Sequence, residues 1–147
     1  MSEIRTEIEV KTKEYFGKLI SAKKFGSLKI RDDYELVVEK DGFNAVTSLS
    51  AAETLCLGYS FMSGLRQTSG FGVPIVIDTP LAKIDQEYRV NVADWFKKVL
   101  NDAQVILLVT DAEYTKEFQN EVKSCVAEHF LIKHDESKGI SEVITNG

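Results

Sequence analysis

At 147 residues, 44% hydrophobic and 28% charged, the chain can bury one core of its own and reads as a single domain, 1–147. No apolar run approaches the roughly 18–20 residues of a membrane span, and the charged start MSEIRTEIEV lacks the apolar stretch of a signal peptide, so a cytoplasmic protein with no membrane partner is expected. The net charge of −5 argues against bulk nucleic-acid binding, yet seven bases and one acid lie between Lys11 and Arg31, against 11 bases and 22 acids elsewhere. That asymmetry marks either a solvated helix face or a patch that tracks a DNA backbone.

In chain order, Glu3–Ile20 is predicted helical, with Ile4, Ile8, Tyr15 and Leu19 on one stripe and Thr12 filling the gap. Gly26 closes that region. Ser27–Arg31 and Tyr34–Lys40 read as strands around an Asp32-Asp33 turn, and Asp41-Gly42 is a hairpin signal leading into Phe43–Val46. Ser50 to Leu65 is a second helix, opened by the capping box S-x-x-E of Ser50 and Glu53. Ala51, Leu55, Gly58, Met62 and Leu65 are expected to form its apolar face. Val73–Ile77 is apolar without alternation and so reads as a strand buried on both faces.

Gln86–Leu100 is predicted helical with Val90, Ala93, Phe96 and Leu100 in step, and Val105–Val109 is a second buried strand ending in Thr110-Asp111. A helix over Glu113–Val126 and strands around His129–Lys133 and near Val143 complete the reading. Cys56 and Cys125 are single residues on expected apolar helix faces, which favours buried free thiols. His129 and His134, five apart on a strand, fall on opposite faces and do not make a shared metal site. Trp95, Tyr114 and Phe118 are expected to pack in the core or at an interface.

Strand, helix, strand is a βαβ unit whose right-handed crossover makes its strands parallel. Asp78 and Asp111, each just past one strand, then emerge at the same sheet edge, where open α/β sheets place their ligands. A carboxylate there suits Mg²⁺ beside a nucleotide, because Mg²⁺ takes hard oxygens and often only one or two from protein. Asp-Thr-Pro is also good turn chemistry, so a plain turn residue is the alternative. Ser50 heads a helix whose unpaired N–H groups can receive a phosphate; it also serves as an ordinary cap.

The segments SLSAAE (48–53), VPIVID (73–78) and, downstream of Asp78-Thr79-Pro80, LAKID (81–85) resemble the signature motif, Walker B strand and D-loop of an SMC-type ABC ATPase. The resemblance covers roughly Ile4 to Ile144, with specific motifs from Ser48 to Asp111. It implies an α/β fold that is half of an ABC ATPase head: a mostly parallel sheet with flanking helices plus an N-terminal helix and antiparallel strands. Residues 1–22 would be the returning end of a coiled coil and 27–147 the C-terminal ATPase lobe. Asp78 would hold Mg²⁺, Asp85 would belong to the D-loop, and Ser50, Ala51, Ala52 and Glu53 would meet the γ-phosphate of ATP held by an opposing subunit.

Several departures bear on catalysis. The phosphate-cradling loop GxxxxGK[ST] occurs nowhere in the chain, so a partner lobe carrying Walker A is implied, in the same or a separate chain. Ala51 and Ala52 replace the usual glycines. Thr79 stands where the family has a water-polarising glutamate and Asp111 where it has a switch histidine. Thr79 is no general base near neutral pH. Asp-Thr-Pro after the strand, followed by LLVTD, is most similar to the C-terminal lobe of the DndD ATPases of bacterial DNA sulfur modification (phosphorothioation). The function implied is ATP-driven head dimerisation in DNA modification or repair, with ATP and Mg²⁺ as cofactors, DNA contact through Lys11–Arg31, and no activity without the Walker A lobe. Two alternatives stand beside it: an ATP-gated DNA-binding or dimerisation clamp with little or no hydrolysis, and an unrelated Mg²⁺-binding α/β domain.

Overall fold

A computed structural model describes residues 2–20, 25–81, 84 and 86–146. Helix α1 (Ser2–Leu19) turns Ile8, Thr12, Phe16 and Leu19 inward. The expected stripe holds from Ile8 onward, but Ile4 is 59% exposed and Phe16, not Tyr15, takes the deeper position. An antiparallel meander follows, β1 (Ser27–Ile30), β2 (Leu36–Lys40) and β3 (Phe43–Asn44). Asp41 (φ 52°) and Gly42 (φ 82°) both take the left-handed conformation that a two-residue hairpin of this twist requires. The third strand stops at Asn44 rather than Val46, because the Asn44 side chain accepts the Val46 N–H at 3.1 Å and the chain coils into a 3-10 turn over Val46–Ser48. Helix α1 is tied to this meander: the Ile30 N–H donates to the Glu9 carboxylate at 2.8 Å, and Arg5 pairs with Asp32.

Helix α2 (Ala51–Ser69) begins at the expected box. The Glu53 N–H donates to Ser50 Oγ at 3.2 Å, and the Ser50 N–H donates to the Glu53 carboxylate at 2.9 Å. It runs a turn past Leu65 and ends where Gly70 turns left-handed (φ 67°). Its buried side differs from the expected one. Ala52, Cys56, Tyr59, Ser60, Ser63 and Gly64 face inward, while Ala51, Gly58 and Leu65 are exposed. Small residues bring α1 close on this side, and the hydroxyls of Ser60 and Ser63 are satisfied by the carbonyls of Cys56 and Tyr59 at 2.6 and 2.8 Å. Hydrophobicity alone favours the larger Leu and Met positions.

The βαβ unit is β4 (Ile75–Asp78), α3 (Gln86–Asp102) and β5 (Val105–Leu108), with the strands parallel and in register from Ile75↔Val105 to Asp78↔Leu108. The expectation of strands buried on both faces is corrected. Ile77 is buried, but Val76 is 61%, Ile106 44% and Leu108 45% exposed. One face of the pair packs on the helices and the other is open. Helix α3 buries Tyr88, Val92, Ala93, Trp95, Phe96 and Val99; of the expected stripe Ala93 and Phe96 face inward, Val90 is exposed, and the side chain of Leu100 lies outside the described residues. Tyr59 stacks on Trp95 at 4.7 Å between ring centres, and the Trp95 indole N–H donates to Ser63 Oγ at 2.9 Å, which locks α3 to α2.

Helix α4 (Lys116–Val122) is shorter than expected. Thr115 caps it, accepting the Phe118 N–H, and Glu113 sits in the preceding turn. Cys125 lies just past the helix and is half-buried, whereas Cys56 is fully buried; neither is in a disulfide. The hairpin β6 (His129–Asp135) and β7 (Ile140–Asn146) closes the chain and places His129 and His134 on opposite faces. The architecture is thus the expected α/β one, helices flanking the sheets, with β4 and β5 as its parallel component among the described residues.

Candidate functional site at the carboxyl edge of the parallel strands

Asp78 is the last residue of β4 and lies opposite Leu108, the last of β5. The Thr79 N–H continues the ladder by donating to the Leu108 carbonyl at 2.9 Å. Thr79 itself is left-handed (φ 49°), a conformation that β-branched residues avoid. The kink directs Pro80 and Leu81 into the core while Asp78 and Thr79 stay exposed. Asp111 is exposed in the turn that follows β5. The two carboxylates therefore stand at one sheet edge, as the crossover rule requires.

Two buried groups hold the loop after β4. The Tyr59 hydroxyl of α2 donates to the Pro80 carbonyl at 2.6 Å, and burial pushes this phenol's pKa above its usual range. The Leu81 N–H donates to the Glu113 carboxylate at 2.9 Å. The second oxygen of Glu113 accepts from the Thr110 N–H and hydroxyl at 3.1 and 3.0 Å. Neither Tyr59 nor Glu113 stands out in the sequence. Thr110-x-x-Glu113 repeats the box pattern of Ser50-x-x-Glu53 and could have been found that way; a long-range phenol–carbonyl bond leaves no local signal.

The donor set decides which cation this edge suits. Among the described residues no group of three or more His, Cys, Asp or Glu converges as a metal cage. Asp78 and Asp111 are hard oxygen donors open to solvent, which fits Mg²⁺ completed by water and phosphate oxygens and does not fit a structural zinc site.

At the start of α2, Ser50 and Ala51 are exposed, Glu53 is half-buried and engaged in the capping box, and Ala52 is 1% exposed with its methyl in the core. The Ser50 hydroxyl accepts from an amide and keeps its own proton to donate. Ser50 caps the N-terminal end of α2, on the helix whose Tyr59 reaches the loop after β4. Asp85, with Ala82 and Lys83 of the expected D-loop, lies outside the described residues, as do Lys23 and Lys24 of the basic stretch. Of the remaining bases there, Lys13, Lys18, Lys29 and Arg31 are ion-paired with Glu9, Glu14, Glu39 and Glu35 at 2.6–3.2 Å.

No protein-family model matches the chain, and no curated protein matches it. Solved structures do. A chain from work on ATP-driven dimerization and DNA-stimulated activation of SMC ATPases aligns over 99% of this chain and 86% of its own, at 16% identity and a TM-score of 0.71. The chain has the fold of part of an SMC head domain. The Pyrococcus furiosus Smc head with an extended coiled coil, bound to the C-terminal domain of ScpA, aligns over 96% of this chain at 14% identity and a TM-score of 0.68. The Thermotoga maritima SMC head domain does so over 97% at 12% identity and a TM-score of 0.60. The chain spans 35% and 48% of the length of those two heads. At such identities the shared property is the SMC-head fold.

Proposed function

We propose that the chain is the C-terminal half of a composite SMC-like ABC ATPase that supplies signature motif, Walker B and D-loop for ATP-driven head dimerisation. The observation that carries this reading is the placement of Asp78. Within an SMC-head fold it ends a parallel strand, exposed, beside the turn that holds Asp111. The open apolar face of β4 and β5, formed by Val76, Ile106 and Leu108, supports a partner lobe carrying Walker A, since such a face is stable only when covered. In this reading Asp78 holds Mg²⁺, Asp111 orients water or a metal-bound ligand at the same edge, Asp85 completes the D-loop, and Ser50 with the amides of Ala51 and Ala52 receives a phosphate across the dimer, Glu53 holding Ser50 in place through the capping box. Bound Mg²⁺ would supply charge neutralisation on the phosphate oxygens. Turnover requires the Walker A lobe, and the chain alone is inactive.

The finer reading is a DndD-like role in DNA sulfur modification or repair, supported by Asp78-Thr79-Pro80 after the strand and LLVTD after the next. DNA contact through Lys11–Arg31 belongs to it. Four of those bases would exchange a carboxylate for a phosphate, which weakens the patch and makes binding steeply salt-dependent. One observation favours the second reading, a clamp that closes on ATP with little hydrolysis. Thr79 occupies the position of the family's general base and carries a hydroxyl that cannot act as one at neutral pH. An unrelated Mg²⁺ domain would share Asp78 and Asp111 but give no ATP-dependent dimer.

The test combines the chain with its Walker A lobe. Asp78→Asn is expected to abolish Mg²⁺-dependent turnover with the fold intact, and Ser50→Arg to block ATP-driven dimerisation, read by sedimentation, while ATP still binds. Unchanged turnover with Asp78→Asn removes the Walker B assignment. Equal dimerisation with Ser50→Arg reduces Ser50 to a cap. A wild-type head that dimerises on ATP without turnover selects the clamp.

A further inference from the structure

The buried carboxylate among the described residues, Glu113, lies behind the site, not in it. Glu113 is 7% exposed, and its two oxygens take three donors from two loops that are distant in sequence. One oxygen accepts from Leu81, three residues past Asp78, at 2.9 Å. The other accepts from the backbone and hydroxyl of Thr110, the neighbour of Asp111, at 3.1 and 3.0 Å. The Thr110 bonds alone would be a local turn closure, since the Glu113 N–H also donates back to the Thr110 carbonyl at 3.0 Å. The Leu81 bond is different. The turn at 110–114 gains nothing from it, and it fixes a backbone amide on the far strand's loop.

The same loop is held from its other side, where Tyr59 donates to the carbonyl of Pro80 at 2.6 Å. The Pro80–Leu81 peptide is thus gripped by α2 at its oxygen and by the turn after β5 at its nitrogen. Both bonds are buried, where a displaced partner would leave an unsatisfied polar group. A carboxylate is the right group for the grip, because it offers only acceptors to three donors. Glutamine in its place would turn an amide N–H₂ toward one of those N–H groups.

We propose that Glu113 is a positioning residue: its buried carboxylate latches the loop after β4 to the loop after β5, so that Asp78 and Asp111 are held in fixed relation. Glu113 touches no substrate and acts through Leu81 and Thr110. The inference rests on the reading of Asp78 as the Mg²⁺ ligand of a composite ATPase, and predicts that metal dependence, more than nucleotide affinity, is set by this latch.

The experiment uses the complete head, chain plus Walker A lobe, with Mg²⁺ titrated at saturating ATP. With Glu113→Gln, kcat is expected to fall about 10- to 100-fold, the loss that a displacement near 1 Å produces at a reacting centre. Half-saturating Mg²⁺ should rise several-fold, while the KM for ATP stays within about twofold because phosphate affinity comes mainly from the partner lobe. A purely structural role would lower the melting midpoint and leave the Mg²⁺ requirement of the folded fraction unaltered. Thr110→Val removes a single donor from an exposed residue, should raise the Mg²⁺ requirement in the same direction, and carries the test if Glu113→Gln lowers the folded fraction. Where the head closes on ATP without turnover, the Mg²⁺ concentration that half-saturates dimerisation is the readout. Wild-type Mg²⁺ dependence in both variants, with Asp78→Asn abolishing activity, overturns the latch. Unchanged activity in Asp78→Asn overturns the site reading beneath it.

Discussion

Gly64 on α2 lies against Thr12 on α1 so closely that a Cβ at position 64 would fall 2.5 Å from Thr12 Oγ1 and 3.0 Å from the Ile8 carbonyl. Thr12 is 0% exposed, and its hydroxyl is committed to that same carbonyl at 2.7 Å. No flexible side-chain end can move aside, since two of the three nearest atoms belong to the α1 backbone. Gly64→Ala should therefore force the helices apart. The expected loss is about 1–3 kcal/mol, the usual cost of overpacking, despite alanine's better helix propensity. A denaturant midpoint unchanged by Gly64→Ala would show that α1 and α2 are not in tight register.

Thr79 presents the opposite case, a residue whose side chain strains the backbone. Its left-handed conformation costs about 1–2 kcal/mol, and glycine would remove that cost while losing about 0.5–1 kcal/mol through the freer unfolded chain. Thr79→Gly should be neutral to modestly stabilising by chemical denaturation. A loss above about 1 kcal/mol would mean that the threonine side chain makes contacts that outweigh its strain.

Glu9 couples α1 to β1 in a pH-dependent way. Burial raises its pKa, but the hydrogen bonds from Lys13 and the Ile30 N–H outweigh burial and set it below its ordinary 4.5. A carboxylate lowered in the folded state contributes stability that is present above the unfolded value and lost as pH falls through the folded value. Stability should thus fall in acid below about pH 4.5, and Glu9→Gln should flatten that limb. Parallel acid limbs for the two proteins would assign the loss to other carboxylates.

Much of this architecture is legible from local pattern. The Ser50–Glu53 box, the Asp41-Gly42 hairpin and the parallel pairing that sets Asp78 beside Leu108 all follow from short-range chemistry or chain-crossing rules. What pattern misread was orientation. The buried side of α2 is built from Ala52, Cys56, Ser60 and Gly64, small or polar residues whose inward position depends on how near α1 comes. Val76, Ile106 and Leu108 read as doubly buried because their sequences resemble strands of a larger sheet, and only the structure shows which face this chain leaves open. The bonds of Tyr59 to Pro80 and of Glu113 to Leu81 leave no local signal for a related reason: each acts on a loop more than 20 residues away in sequence, although the Thr110-x-x-Glu113 pattern itself is legible.

Cys56 gives a chemical check on that packing. Burial, with Glu53 nearby, pushes its thiol up to about 11, so almost no thiolate exists near neutral pH and reagents cannot reach it. Cys125 is half-buried beyond α4. A thiol reagent at pH 8 should modify Cys125 in the native protein and Cys56 only after unfolding. Equal rates at both sites would indicate that α2 is not seated as described.

The open face of β4 and β5 has consequences for the chain by itself. Nucleotide affinity in this kind of site comes mainly from Walker A amides and lysine, and no GxxxxGK[ST] is present. With a net charge of −5 and exposed carboxylates at the edge, free ATP would be repelled. Binding weaker than about 1 mM, less than roughly 4 kcal/mol, and no detectable hydrolysis are expected. Val76, Ile106 and Leu108 should make the lone chain self-associate, and Val76→Lys should reduce that association while also weakening capture of a Walker A lobe, because one face serves both contacts. Light scattering follows the first effect and co-purification of the two lobes the second. Loss of self-association with full capture would place the partner elsewhere. Micromolar ATP binding by calorimetry to this chain alone would sink the composite-site reading, since its own residues would then form a complete nucleotide pocket.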